Sequence, residues 1–300
     1  MNRGAQQQIE WPTVLAIGAF WVAYLSTVVF GRDLPTPLTL VFLALLGGFY
    51  MSLQHEVIHG HPTRWRMLNR TSVGAPLVLL QPFERYSAAH LAHHASDLTN
   101  PVDDPESFYV TPDAWAAAGP VKRWFLRANR TMAARLTIGP IFQLWQMLRY
   151  DLRLARYDSA VRRTWVLHAI AASITVAAIR MMGMPIWVYA VGFVYGGMIC
   201  TNLRSFVEHR GVVNGGSRSA VVQSNWFFGL LFLNNNLHHT HHALPGASWY
   251  RLPQLTRDLG AAELAASGAG YHRGYLAIAR KHLFRPFDQP INPLLERIEA

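Results

Sequence analysis

Four apolar stretches, roughly Thr13–Phe30, Pro37–Leu53, Trp165–Met182 and Pro185–Leu203, constrain this 300-residue chain more than any other feature. A helix needs about 20 apolar residues to cross the hydrocarbon core of a bilayer, and each stretch has that length and apolarity. Lipid offers the backbone no hydrogen-bond partners, so such stretches are restricted to helices. "GRDLPTP" joins the first pair and "RMMGMP" the second. Links this short, rich in Pro and Gly, make two helical hairpins. The first stretch is not a cleavable signal peptide: its apolar run exceeds the usual ~7–15 residues, and no small-residue cleavage site follows.

Charged residues make up 15% of the chain, against about 25% in a soluble domain. Much of the surface is therefore expected to face lipid. The net charge of +10 does not point to nucleic acid, because the arginines are scattered between apolar runs without the basic–aromatic interleaving of a nucleic-acid face. Topology accounts for it. The hairpin tips hold only Arg32 and Arg180, leaving 25 of the 27 Lys and Arg for the other segments. Basic residues mark the cytoplasmic side. Both termini and the segments 54–164 and 204–300 are thus expected in the cytoplasm, with the protein in a bacterial inner membrane. Shorter apolar runs at 71–83, 137–148 and 225–233 are read as helices lying on or dipping into the cytoplasmic interface. No repeat or linker divides the chain, so residues 1–300 are expected to form one domain. The single cysteine, Cys200, excludes a disulfide framework and any Cys-rich metal site; it reads as an inert buried thiol.

Most of the 14 histidines are clustered. His55 and His59 stand at i, i+4 just past the second stretch. "HLAHH" sets His90, His93 and His94 at i, i+3, i+4, and "HHTHH" repeats that spacing with His238, His241 and His242. His209 follows the fourth stretch in "SFVEHRG". Helical residues three and four apart share a face, so each cluster can aim its imidazoles at one point. One catalytic zinc takes three protein ligands; nine imidazoles suit two ions with four or five each. Imidazole binds Zn, Cu, Fe and Ni alike, so ligand type leaves the metal open. His61 and His239 are off the pattern and are assigned to orienting other groups, whereas His168, His272 and His282 read as structural or surface residues. "HEVIH" also matches the His-Glu-x-x-His zinc signature, with Glu56 as general base.

The three clusters set around two hairpins resemble the membrane-bound fatty acid desaturase superfamily, to which alkane hydroxylases and carotenoid hydroxylases and ketolases are related. "PFERYSAAHLAHHASDLTNPVDDPE" is similar to the second histidine box of bacterial desaturases, and "NNNLHHTHHALPGASWYRLP" to the third. "SFVEHRG" is similar to an Asn-Tyr-x-Glu-His-Tyr-Gly element that supplies a further histidine in alkane hydroxylases, although Ser205 stands where relatives often have asparagine. The resemblance implies an all-α integral membrane protein whose cytoplasmic helical cap holds two iron ions. It implies His55, His59, His90, His93, His94, His209, His238, His241 and His242 as ligands, with zinc able to replace iron in a recombinant sample. The protease reading keeps only a faint parallel in "NPVDDP".

On this reading Glu56, Asp97, Asp104, Glu208, Asn236 and His239 are candidates to hydrogen-bond ligand imidazoles, and Asp103 lies near them. Phe49, Tyr50, Phe206 and Trp226 are candidates to line an apolar substrate tunnel. The resemblance implies O2-dependent desaturation of an acyl-type chain, whether fatty acid, acyl lipid or acyl thioester. The alternative is hydroxylation or ketone formation on an alkyl, carotenoid or small amino-acid-like substrate. No His-Pro-Gly-Gly cytochrome b5 segment is present in the sequence, so electrons are expected from a separate protein such as a ferredoxin.

Overall fold

The computed structural model describes residues 9–213 and 216–296. Among these, four helices are long and apolar enough to cross a membrane: Trp11–Asp33, Thr36–Ile58, Ser159–Met181 and Ile186–Ser205. Their limits follow local chemistry. Pro12 and Pro37 occupy first turns, where a missing N–H costs nothing. Asp158 caps the third helix by accepting from the N–H groups of Ala160 and Val161. Gly183, in the left-handed region (φ 88°), makes the second hairpin link. The second helix runs five residues past the expected Leu53 and carries His55 on its last turns; His59 closes it.

The described residues form two compact units, Met1–Ser87 with Pro140–Thr201 and Ala88–Gly139 with Asn202–Ala300. In the first, the second and fourth spans approach backbone to backbone. A Cβ added at Gly47 would lie 2.1 Å from the Phe193 carbonyl oxygen and 3.0 Å from the Gly197 Cα, so only glycine permits this contact. The fourth span widens there into a π-helical segment, Ala190–Gly196. Phe20, Tyr24, Tyr50, Tyr189 and Phe193 form one aromatic core, with Tyr189 and Phe193 stacked at 5.1 Å. The third span buries little: Val166, Leu167, Ile170 and Ile174 are all exposed, as a lipid-facing helix requires.

The run 71–83 departs from the expected interfacial helix. A helix covers Arg66–Val73, and turns follow to Pro82. Pro76 and Pro82 cannot donate in a helix, and tyrosines accept the role of capping the freed carbonyls. The Tyr50 hydroxyl lies 2.6 Å from the Val73 oxygen and 2.5 Å from that of Ala75, and Tyr189 donates to Leu77. The other two runs do form helices, Gly139–Leu154 and Trp226–Leu231. Asp151 on the former anchors the unit: Arg85 grips its carboxylate through Nε and Nη2, and Trp165 Nε1 donates to it at 3.0 Å.

The second unit consists of short helices and one two-residue parallel pairing, Val221–Val222 with Tyr271–His272. Val221, Leu237, Leu252, Ala261 and Ala265 pack as its core. That core fixes the start of the short helix His238–Ala243, which carries the last histidine cluster.

Candidate metal centre

Two helices supply most of the site in the second unit. Phe83–Ala95 bears His90, His93 and His94, and His238–Ala243 bears His238, His241 and His242. His209 comes from an extended segment held by an antiparallel bridge to Ser219, with the Ala220 N–H donating to the Glu208 carbonyl at 2.9 Å.

These seven imidazoles divide into two sets. In one, His94 Nε2 lies 3.1 Å from that of His90 and 3.0 Å from that of His241. In the other, His209 Nε2 lies 3.1 Å from His93 Nε2 and 2.9 Å from that of His238, which is 3.1 Å from His242 Nε2. The division is reciprocal. The first helix gives His90 and His94 to one set and His93 to the other; the last helix gives His238 and His242 to the second set and His241 to the first. The sets abut where the rings of His94 and His242 stack at 4.2 Å.

The outward nitrogens fix the tautomers. His93 Nδ1 is 2.7 Å from Asp104, His90 Nδ1 is 3.0 Å from Glu106, and His238 Nδ1 is 3.1 Å from the Asn235 side-chain oxygen. Glu208 stands 3.6 Å from His238 Nδ1, with Arg204 Nε 2.9 Å from its carboxylate. A carboxylate accepts only from an N–H, so in these imidazoles Nδ1 carries the proton and Nε2 presents its lone pair.

Electrostatics reinforce the pattern. Burial, then the neighbouring imidazoles, push His94 and His209 down to about 3, and the same causes lower His238 and His242. Burial also opposes charge on His93, but its bond to Asp104 and the nearby carboxylates outweigh that and raise it. Burial pushes Glu208 up to about 7. Glu106 goes the other way: burial is outweighed by His90, His93 and Arg204, which hold it below the usual carboxylate range.

His209, His238 and His242, all held neutral, therefore face one another lone pair to lone pair, His238 Nε2 lying 2.9 Å from His209 Nε2 and 3.1 Å from His242 Nε2. That is repulsive unless a cation lies between them. A metal–nitrogen bond of about 2.0–2.1 Å places neighbouring ligand atoms about 2.9–3.4 Å apart, so the spacing matches the edges of a coordination polyhedron. The donor set fits metal ions. In the first unit His55 and His59 lie close together, ring centroids 4.8 Å apart, and both rings sit at the end of the second span.

A family model described as fatty acid desaturase matches residues 34–275. The chain belongs to the fatty acid desaturase family. Comparison with curated proteins gives no match. Membership together with four apolar helices makes this desaturase-family protein an integral membrane protein and an oxidoreductase. It leaves the "HEVIH" stretch no protease role, and seven further imidazoles exceed what a one-zinc protease uses.

Within this desaturase-family chain, the structure sorts the residues expected around the ligands. Asp104 and Glu208 reach His93 and His238, and Glu56 lies 4.0 Å from His55 Nδ1. Three others touch no clustered imidazole. Asp97 pairs with Arg218, Asn236 donates to Val222 and Ser224, and His239 meets Ser217 at 2.6 Å. Asp103 accepts from the Asp97 N–H. Glu106 and Asn235 were not singled out from the sequence. Asn235 had a signal, three residues before His238; Glu106 depends on how residues 96–106 fold back. Among the tunnel candidates, Tyr50 belongs to the aromatic core of the first unit and Phe49 is half-buried there. Phe206 packs on Phe287, and Trp226 is exposed at a cavity.

Proposed function

We propose that this protein holds two iron ions and uses O2 and externally supplied electrons to introduce a double bond into an acyl-type chain. The observation that carries the reading is the facing of Nε2 atoms at 2.9–3.1 Å in a chain of the fatty acid desaturase family. His55 and His59 join His90, His94 and His241 as ligands of one ion; His93, His209, His238 and His242 hold the other. This gives five imidazoles and four.

The bound pair supplies O2-dependent removal of hydrogen from an unactivated C–H bond, which acid–base side chains cannot do. The chain's own residues do the rest. Asp104 and Glu106 keep the Nδ1 protons on His93 and His90, so that Nε2 stays a ligand. Asn235 and Glu208 do the same for His238. Negative charge from Asp104, Glu106 and Glu208, partly offset by Arg204, balances the cations.

Both termini and all nine ligands lie on the cytoplasmic side, supported by the 25-to-2 partition of basic residues. Arginines outside the spans attract an acidic electron donor such as a ferredoxin. A second reading, hydroxylation or ketone formation, is favoured by one observation. His209 comes from the "SFVEHRG" segment that is similar to the alkane hydroxylase element, and its Nε2 lies in the second set.

Mass spectrometry of lipids and metabolites from cells expressing the protein, against a His94→Ala control, tests this. A product two hydrogens lighter supports desaturation, and one oxygen heavier supports hydroxylation. Metal analysis of the purified protein should find two ions per chain; one ion at full loading overturns the two-set assignment.

A further inference from the structure

A cavity of about 470 Å³ opens in the second unit beside the third histidine box. Its floor includes Asn236 and Leu237, the two residues before His238, and its walls include Trp226, Leu230, Trp249 and Arg257. None of these residues is used by the metal centre.

Two polar groups here have no partner among the described residues. Asn236 is 2% exposed. Its amide nitrogen donates to the Val222 carbonyl at 2.7 Å and lies 3.2 Å from the Ser224 hydroxyl, which fixes which end is oxygen. The oxygen itself is buried without a hydrogen bond. Arg257, exposed on the helix Leu252–Asp258, forms no ion pair with any described carboxylate. The cavity thus offers a guanidinium at its wall, with no lining carboxylate to occupy it.

The rim has a different chemistry. Trp226 is 79% exposed and Leu230 45%, on the apolar helix Trp226–Leu231. In an integral membrane protein an exposed Trp–Leu face beside an arginine suits the boundary between headgroups and acyl chains.

We propose that this cavity binds the polar head of an anionic amphiphile of the glycerophosphate type. The phosphate pairs with Arg257, and the attached chains leave over Trp226 and Leu230. Phosphate is the anion that arginine grips in a forked geometry, and no lining residue carries a negative charge to oppose it. The site is distinct from the facing imidazoles and does not depend on which oxidation they perform. Because Asn236 and Leu237 lead directly into the His238 helix, an occupied cavity stiffens the start of that helix.

The test uses the full chain in nanodiscs of phosphatidylcholine with a small fraction of phosphatidylglycerol, reading lipid adducts by native mass spectrometry. The wild type should retain phosphatidylglycerol over phosphatidylcholine. Arg257→Gln should weaken that preference about tenfold, the loss expected for one charge-assisted pair, and Arg257→Lys should restore part of it. Trp226→Ala, at an exposed position, should also weaken retention, and metal content should be unchanged in all three. Soluble sn-glycerol 3-phosphate separates two sources of the head. Displacement of the bound lipid places a membrane lipid in the site; binding of glycerol 3-phosphate that needs Arg257, without lipid preference, places a free phosphate ester there. Equal retention by wild type and Arg257→Gln, with no Arg257-dependent binding of either probe, overturns the proposal.

Discussion

Replacing Asp104 by asparagine removes one charge and almost no volume, and the structure shows what that changes. The carboxylate of Asp104 accepts three hydrogen bonds. One oxygen takes them from His93 Nδ1 at 2.7 Å and from the Glu106 N–H at 2.9 Å; the other takes one from the Thr99 N–H at 2.9 Å. Asparagine has a single acceptor oxygen. If it faces His93, the new NH2 meets the Thr99 N–H, and an unmatched donor costs about 1–3 kcal/mol. If the amide flips, the NH2 meets His93 Nδ1, and the ring proton must move to Nε2. There it stands 3.1 Å from His209 Nε2 and occupies the position a metal needs. Changes to such supporting bonds typically weaken metal binding about 10–100-fold, or about 1.4–2.7 kcal/mol. The expected outcome for Asp104→Asn is loss of metal at chelator concentrations the wild type withstands, with helical content retained. Graded chelation followed by metal analysis and far-ultraviolet circular dichroism measures both. Asp97→Asn, which touches no clustered imidazole, should behave close to wild type. If Asp104→Asn keeps both ions across the whole chelator series, the tautomer argument is wrong.

Arg85→Gln leaves the buried Asp151 carboxylate, among the described residues, with the neutral Trp165 N–H as its side-chain donor. Breaking a buried pair costs about 3 kcal/mol, so thermal unfolding in detergent should shift down by several degrees, and an unchanged midpoint would refute the anchoring role. The orientation of the spans is tested by cysteine labelling in a Cys200→Ser background. Cysteines replacing exposed Asp33 and Met181 should react with an impermeant reagent in intact cells, whereas one replacing Lys122 should react only after permeabilisation. Labelling of Lys122→Cys in intact cells would overturn both the orientation and the joining of His55 and His59 to the other ligands. Finally, burial and the neighbouring His282 lower His272 to about 4. A lowered histidine contributes stability that is present above its unfolded value of about 6.5 and lost as pH falls toward 4. Melting curves across that window should show His272→Gln losing less stability than wild type; parallel losses would show that another group sets the acid response.

The spanning helices were legible because length and apolarity alone decide them, and the short histidine helices because the i, i+3, i+4 pattern has one helical solution. The segment 71–83 was not. Its apolar run looks helical, but the partners of its carbonyls, the hydroxyls of Tyr50 and Tyr189, lie 23 and 112 residues away. The supporting shell was half legible for a similar reason. Asp104 and Glu106 share the stretch "DDPE" with Asp103, and sequence proximity cannot tell which carboxylates turn back to an imidazole and which, like Asp97, pair with an arginine. The run of three asparagines before His238 posed the same problem: Asn235 faces the ring, while Asn236 secures the strand residue Val222.

The reciprocal sharing of His93 and His241 makes the site a cross-braced truss. Turning either helix about its axis to tighten one triangle of nitrogens slackens the other, because each helix has a foot in both. Neither position can be adjusted alone, and their separation is set by the rigid rise between consecutive turns, with no flexible loop to tune it. Filling one position fixes the rotation of both helices and so assembles the second. Half-loaded protein should therefore be scarce at every metal concentration, with empty and doubly loaded chains coexisting.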